Sequence, residues 1–216
     1  MDIRIVGGHG QVARLLTRRL AAAGDTVHGV IRSADQRDDL EDDGANPIVL
    51  DVESASADEL ALELHGADAV VFAAGAGAGS GADRKWTVDH GGAAKLREAA
   101  ITAGVARYVM VSAMGTDDPP TDDEVFSVYL RAKAQADEEL MASDLDWTVV
   151  RPGRLLDDPA TGAVTLARHV DRGGIPRDDV AAVLAACLHD EHTIGHVFEV
   201  VGGDVPIATA LDALVS

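Results

Sequence analysis

The chain of 216 residues contains one cysteine, seven prolines, three lysines and only 3% aromatic residues. A single cysteine, Cys187, excludes an internal disulfide. It falls in an Ala/Leu/Val pattern over 180–188 and reads as a small core residue rather than a nucleophile. No apolar run approaches the roughly 18 residues that cross a membrane. The first residues read as a strand, not as a charged-then-apolar leader. The expectation is a soluble, cytoplasmic protein with no membrane partner. Basic charge is scarce: 18 Lys and Arg stand against 37 Asp and Glu, for a formal net charge of −19. Binding to nucleic acid needs basic surface that displaces counterions from phosphates, so nucleic acid is excluded as a partner.

Acid is what the chain has in excess, and 27 of the 37 acids are Asp. Doublets recur at 38–39, 42–43, 117–118, 122–123, 157–158 and 178–179. They are spread along the chain, whereas a partner-binding arm would gather them in one tail. A uniform acidic coat repels itself unless salt screens it. The expectation is therefore a halophilic protein, with an ordinary acidic protein as the alternative. Unfolding measured against KCl separates the two.

Strand and helix patterns alternate. Strand-like runs fall at 3–7, 26–31, 47–50, 69–73, 107–112, 147–151 and 197–201. Helix-like runs fall at 11–23, 57–64, 89–103, 124–143 and 177–188, and a short one at 207–214. This alternation implies βαβ units with right-handed crossovers. The strands are nearly continuous apolar runs, as when both faces are covered. The predicted fold is α/β: a Rossmann-type, doubly wound parallel sheet with helices on both faces. No repeat or linker divides the chain, so residues 1–216 read as one domain. The Gly/Ala/Ser stretch 73–82 directly follows a strand and reads as a loop beside a ligand.

The first strand runs into Gly7-Gly8-His9-Gly10-Gln11-Val12-Ala13. Gly7, Gly10 and Ala13 have the spacing of a dinucleotide pyrophosphate turn between a strand and a helix. Gly7 allows the tight turn, Gly10 lets the backbone approach a phosphate, and Ala13 lets the helix pack close to the sheet. The helix N-terminus then offers N–H groups to the anion. An acid at the end of the second strand would bond the ribose hydroxyls and repel a 2′-phosphate. This chain has Arg32 and Ser33 there, which point to NADP. The alternative for Arg32 is a solvated surface side chain. Asp51, ending the third strand, reads as an adenine-binding acceptor or as a cap for the next segment.

Tyr129 and Lys133 are four apart and share one helix face. A neighbouring ammonium favours phenolate, which suits acid/base work. The bland reading is a packed Tyr beside a solvated Lys.

Taken in order, the glycine turn, Arg32, Asp51-Val52, Ala73-Ala74-Gly75, Ser112, Tyr129/Lys133 and Arg151-Pro152-Gly153 resemble a short-chain dehydrogenase/reductase. The chain is most similar to the atypical NAD(P)H-binding subgroup of sugar-epimerase-like, biliverdin/flavin-reductase-like and NmrA-like proteins. The resemblance extends to Ile175-Pro176-Arg177-Asp178-Asp179-Val180-Ala181. It implies a cofactor across the strand ends and a small substrate-side part within 153–216. It implies cofactor contacts from Gly7, Gly8, His9, Gly10, Gln11, Val12, Arg32, Ser33, Asp51, Val52, Ala73, Ala74, Gly75, Lys133, Pro152 and Gly153. It implies Tyr129 as acid/base, Lys133 as its partner and Ser112 near the nicotinamide.

One departure matters. Extended members place a catalytic Ser or Thr about two residues beyond the first Ser, where this chain has Ala113 and Met114. Without a donor to polarise a carbonyl, hydride transfer loses an oxyanion-type contribution. The expected function is an NADP-dependent oxidoreductase acting on a small carbonyl or hydroxyl substrate. The alternatives are a non-catalytic NADP(H)-binding redox sensor and a sugar-nucleotide-type epimerase with a bound cofactor. The oligomeric expectation is a monomer or homodimer. His189, His192 and His196 have metal-like spacing, but Gly195 interrupts them and they read as a solvated loop. The acidic run 117–124 reads as a gate over the substrate or as coat. Trp86 and Trp147 read as packing residues.

Overall fold

A computed structural model describes residues 1–77 and 79–214. Its strands are β1 Asp2–Val6, β2 Thr26–Ile31, β3 Asn46–Val49, β4 Ala69–Phe72, β5 Arg107–Val111, β6 Asp146–Pro152, β7 Arg154–Leu156, β8 Ala163–Ala167, β9 Gly174–Pro176, β10 His196–Gly202 and β11 Val205–Pro206. Its α-helices are α1 Gln11–Ala23, α2 Arg37–Asp42, α3 Ala57–Leu64, α4 Ala82–Arg84, α5 Gly91–Ala103, α6 Val125–Met141, α7 Arg177–His189 and α8 Ile207–Leu214.

Nine strands form one sheet in the order β11-β8-β10-β6-β5-β4-β1-β2-β3. From β3 to β10 every neighbouring pair is parallel; only β8 pairs antiparallel, with β10 and β11. The strand order reverses between β1 and β4, and a crevice at that switch is where an open α/β sheet binds its ligand. Helix α1 packs on α7, while α3 packs on α5 and α5 on α6. Two apolar clusters lie on the two sides of the sheet: Leu16, Leu20 and Leu184 belong to one, Leu60, Leu96 and Leu140 to the other. This is why β4 is buried along its whole length. In α1, Val12, Ala13, Leu16 and Leu20 form the buried stripe that helical spacing predicts. In α3, Ser56 and Glu59 complete a reciprocal capping box.

The expected strands and helices are present with shifts at their ends, the short helix α2 is not among those expected, and two further regions differ in kind. The helix expected at 89–103 starts earlier, as α4, then a π-helical segment Lys85–His90, then α5. That segment buries Lys85, Val88 and Asp89. A buried Lys and Asp break the apolar periodicity, so the stretch does not read as helix. The second region is 153–176, which forms β7, β8 and β9. These strands are short, and β7 and β9 form a separate two-stranded pair. No helix among the described residues is long and apolar enough to cross a membrane.

Candidate functional site

The site is built where β1, β2, β3 and β4 end. After β1 the chain turns at Gly7 with φ +84°. The Gly7 and Gly8 N–H groups both donate to the carbonyl of Val30 on β2, at 3.1 and 3.0 Å. The turn is thereby pinned to the neighbouring strand. Gly10 caps α1 from an extended conformation, and no side chain caps this helix end. Its first turn holds no acid either, so its N–H groups and positive dipole end are left to an anion. Ala13 is fully buried against the sheet, as its small size allows.

A cleft of about 280 Å³ opens over this turn, lined in part by Gly7, His9, Gly10, Arg32, Asp51 and Val52. Ala73, Ala74 and Gly75 of the loop after β4 form its other wall. Nine of the residues assigned to the cofactor from sequence thus meet around one crevice. The fit to a dinucleotide is good: an uncapped helix end lies at the middle, and a guanidinium stands at the end of β2. Arg32 is exposed. Glu53 feels its charge but hydrogen-bonds to Arg84 and Thr87, which hold the Glu53 carboxyl below its usual range. Asp51 lines the cleft, and its carboxylate accepts the Glu53 N–H at 3.0 Å, the capping role considered for it.

The remaining assignments lie elsewhere. Gly8 sits beneath the turn, where a Cβ would stand 2.8 Å from the Gly29 Cα. Val12 belongs to the core. Gln11 faces a second groove of about 340 Å³, shared with Arg14, Arg177 and Asp178. The Ser33 hydroxyl bonds Asp35 two residues on. Pro152 is buried and accepts the Met114 N–H at 3.2 Å. Gly153 is required by Gly173, whose carbonyl oxygen a Cβ would meet at 2.4 Å. Sequence reasoning missed Gln36, Glu53, Arg84 and Val88 as cleft residues.

Of the catalytic candidates, Tyr129 and Lys133 sit on α6 and Ser112 directly follows β5. Lys133 is buried, and its Nζ donates to the Val111 carbonyl at 3.0 Å and the Ala74 carbonyl at 3.4 Å. It lies 3.8 Å from the Asp89 carboxylate. Burial pushes the Lys133 pKa down, with Asp89 and Asp137 opposing. Tyr129 corrects the sequence expectation. Burial first, then the carboxylates Asp89 and Asp137, raise its phenol above the ordinary value rather than lowering it. At neutral pH Tyr129 holds its proton, as an ordinary phenol does, and the upward shift makes it a weaker acid. Its aromatic ring lies 5.5 Å from Lys85 Nζ and 5.9 Å from the Phe126 ring.

Ser112 is committed. Its hydroxyl donates at 2.8 Å to Asp137, a fully buried carboxylate on α6. Arg151 Nε donates to the same oxygen at 3.0 Å, and Thr116 reaches it at 3.4 Å. Burial nevertheless holds the Asp137 pKa above its ordinary value. Arg151 goes on to pair with Asp117, which also faces His169 at 3.4 Å. None of Lys85, Asp89, Asp137 and Arg151 was picked out as chemistry from sequence. One signal was available: Lys85 and Asp89 are four apart, like Tyr129 and Lys133, and each pair faces the other.

Trp86, read as a packing residue, is instead exposed, with its ring edge-on to His90. Cys187 is buried, and burial pushes its thiol up to about 12. His189 bonds Asp25 and His192 bonds Asp190. No group of three or more His, Cys, Asp or Glu side chains gathers to hold a metal among the described residues.

Comparison with known proteins agrees with this geometry. A family model described as NAD(P)H-binding matches residues 7–191. The chain is 38% identical over 215 residues to an uncharacterized sugar epimerase, YhfK, of Bacillus subtilis strain 168, covering 99% of this chain and all of that one. A solved structure from Bacillus halodurans, provisionally assigned as an NAD-dependent epimerase/dehydratase, is 39% identical with a TM-score of 0.93, over 99% of this chain and 100% of that one. The oxidoreductase ylbE of Lactococcus lactis is 29% identical with a TM-score of 0.87, over 99% and 96%. The chain belongs to the NAD(P)H-binding family of Rossmann-fold proteins.

Proposed function

We propose that the chain is an NADP-dependent oxidoreductase of the short-chain type that acts on a small carbonyl or hydroxyl compound. The observation that carries the cofactor preference is Arg32: an exposed guanidinium at the end of β2, lining the cleft where an NAD-selective chain would place an acid. When bound, the reduced nicotinamide supplies hydride. The chain supplies the rest. The α1 N-terminus takes the pyrophosphate, and Arg32 takes the 2′-phosphate. Tyr129, protonated at neutral pH like any phenol, donates the proton to the nascent alkoxide, which is the stronger base. Lys133 holds the ends of β4 and β5 together through the Ala74 and Val111 carbonyls.

A second reading is favoured by Ser112. Its hydroxyl belongs to Asp137, and Ala113 and Met114 offer no replacement for polarising a carbonyl. This supports a cofactor-binding sensor that reads the NADPH/NADP ratio without turnover. The kinship with a sugar epimerase and an epimerase/dehydratase adds epimerisation as a variant of the same machinery.

The experiment is a titration with NADPH and with NADH in molar KCl, followed by Trp fluorescence. Tight NADPH with weak NADH supports the Arg32 reading. Equal binding removes Arg32 as a selector. No binding of either removes the functional reading altogether.

A further inference from the structure

Each of the chain's three lysines donates its Nζ to backbone carbonyls beside the cleft. Lys95 bonds Val52 and Glu53 at 2.9 and 2.8 Å, Lys133 bonds Val111 at 3.0 Å, and Lys85 bonds Gly77 at 2.9 Å. Arginines make the carboxylate pairs at Asp43, Glu53 and Asp178, and Lys133 lies 3.8 Å from the Asp89 carboxylate.

Lys85 differs from the other two because it touches a candidate catalytic side chain. It is 8% exposed, and its ammonium sits 5.5 Å from the centre of the Tyr129 ring, within cation–π range. Its segment is π-helical, a form that recurs at functional sites. The same segment presents Asp89, whose Oδ2 accepts the Ala76 N–H at 3.1 Å. A Cβ on Gly75 would stand 3.0 Å from the Asp89 Oδ1, so the loop lies directly on this carboxylate. That Oδ1 is buried and has no hydrogen-bond partner among the described residues. The loop at 75–77 is therefore clipped twice to one short segment, at the Ala76 N–H by Asp89 and at the Gly77 carbonyl by Lys85. The segment is in turn fastened to α6 at three points, by Lys85 on Tyr129, by Asp89 beside Lys133 and by His90 hydrogen-bonded to Glu139 at 2.9 Å.

We propose that Lys85 is a positioning residue that couples the loop 73–77 to Tyr129, so that cofactor docking against the loop sets the place of the phenol. The proposal rests on the reading that the cleft holds NADP(H). It assigns Lys85 no contact with substrate. An ammonium bonded to the loop and stacked on the ring cannot follow one without moving against the other.

The test uses the whole protein labelled with 3-fluorotyrosine. Only Tyr108 and Tyr129 are labelled, and Tyr108 is fully buried in the core and serves as the internal reference. Tyr129→Phe assigns the resonances. NADPH is expected to shift the Tyr129 fluorine resonance and leave Tyr108 in place. In Lys85→Met, NADPH is expected to bind within about tenfold of the parent affinity, but the Tyr129 shift is lost. Lys85→Arg, which keeps a cation and donors, is expected to restore part of it. A full shift in Lys85→Met overturns the proposal. NADPH binding to the parent with an unmoved Tyr129 resonance overturns it while leaving the cofactor reading standing. No NADPH binding to the parent overturns both. Should Lys85→Met lose its cooperative melt, amide exchange on the parent carries the test. NADPH is expected to slow exchange in the loop and in the first turns of α6 together, and slowing in the loop alone overturns the coupling.

Discussion

Gly7 and Ala74 meet backbone to backbone: a Cβ at Gly7 would stand 2.5 Å from the Ala74 Cα. The contact joins the end of β1 to the loop after β4 across the switch point, and φ +84° makes the position doubly selective for glycine. Gly10 is different. Its backbone is extended, and a Cβ there would meet the Gly7 carbonyl oxygen at 3.2 Å. Gly7→Ala is expected to destabilise the fold by at least about 3 kcal/mol, from a left-handed Ala and a backbone clash. Gly10→Ala is expected to fold within about 1 kcal/mol of the parent while losing tenfold or more in NADPH affinity, roughly the cost of pushing a phosphate off the helix end. Thermal melts and cofactor titrations read the two effects separately. Equal destabilisation by both variants would remove the distinction.

Arg32→Ala is expected to weaken NADPH binding by about 10- to 100-fold, as one or two charge-assisted hydrogen bonds are lost. NADH affinity is expected to stay unchanged, because NADH lacks the 2′-phosphate. Parallel titrations check this, and an equal loss for both cofactors would show that Arg32 shapes the cleft rather than selecting.

These first two predictions use features legible in the sequence. The strand-to-helix turn is local, so the positions of Gly7, Gly10, Ala13 and Arg32 follow from chain order alone. The apolar strands likewise announce a two-sided sheet. What was not legible is long-range. Ser112 reads as a donor at a strand end, but Asp137, 25 residues on, takes its hydroxyl. Tyr129 reads as a phenol beside an ammonium, yet burial and two carboxylates decide its pKa. Apart from its spacing to Lys85, nothing separates Asp89 from the acidic coat in a chain with 27 Asp residues; only the fold shows that it is fully buried. Abundance of one residue type hides the few copies that do chemistry, whereas the scarcity of lysine makes each copy stand out.

Tyr129→Phe and Ser112→Ala are expected to part company. Removing the phenolic O–H takes away the proton donor, and turnover is expected to fall about 10²- to 10⁴-fold with NADPH affinity kept. Ser112→Ala removes a bond to a buried carboxylate, so its effect is expected on stability, about 1–3 kcal/mol, with turnover within a few-fold. A screen of small carbonyl compounds with NADPH, combined with melts, measures both. Turnover lost in Ser112→Ala with an unchanged melt would return the serine to the catalytic set.

Asp137 is the hinge of the polar cluster under the site. It is fully buried and receives Ser112, Thr116 and Arg151. Asp137→Ala leaves the Arg151 guanidinium, 4% exposed, without this partner. The expected cost is about 3–5 kcal/mol, the range for breaking a buried pair by removing one member. Asp137→Ala combined with Arg151→Met is expected to recover a good part of that loss, because the stranded charge goes too. Chemical denaturation of the single and double variants checks the cycle, and additive losses would show that the two residues act independently.

Acid sensitivity has a specific source in Asp43, at the end of α2. Burial acts to raise its pKa, but hydrogen bonds from Arg14 and Arg18 outweigh it and hold the carboxyl below the ordinary value. A carboxylate depressed in the folded state contributes stability that is present above its unfolded value, about 3.9, and is lost as pH falls through the folded value. Asp43→Asn is therefore expected to be less stable than the parent at pH 7 by about 2 kcal/mol. The gap is expected to close as pH falls below about 4, because the parent must protonate Asp43 and the variant has nothing to protonate there. Melts at fixed KCl across that range measure the gap. A gap that stays constant down to acid unfolding would mean that the ion pair contributes shape and packing, with no linkage to the proton.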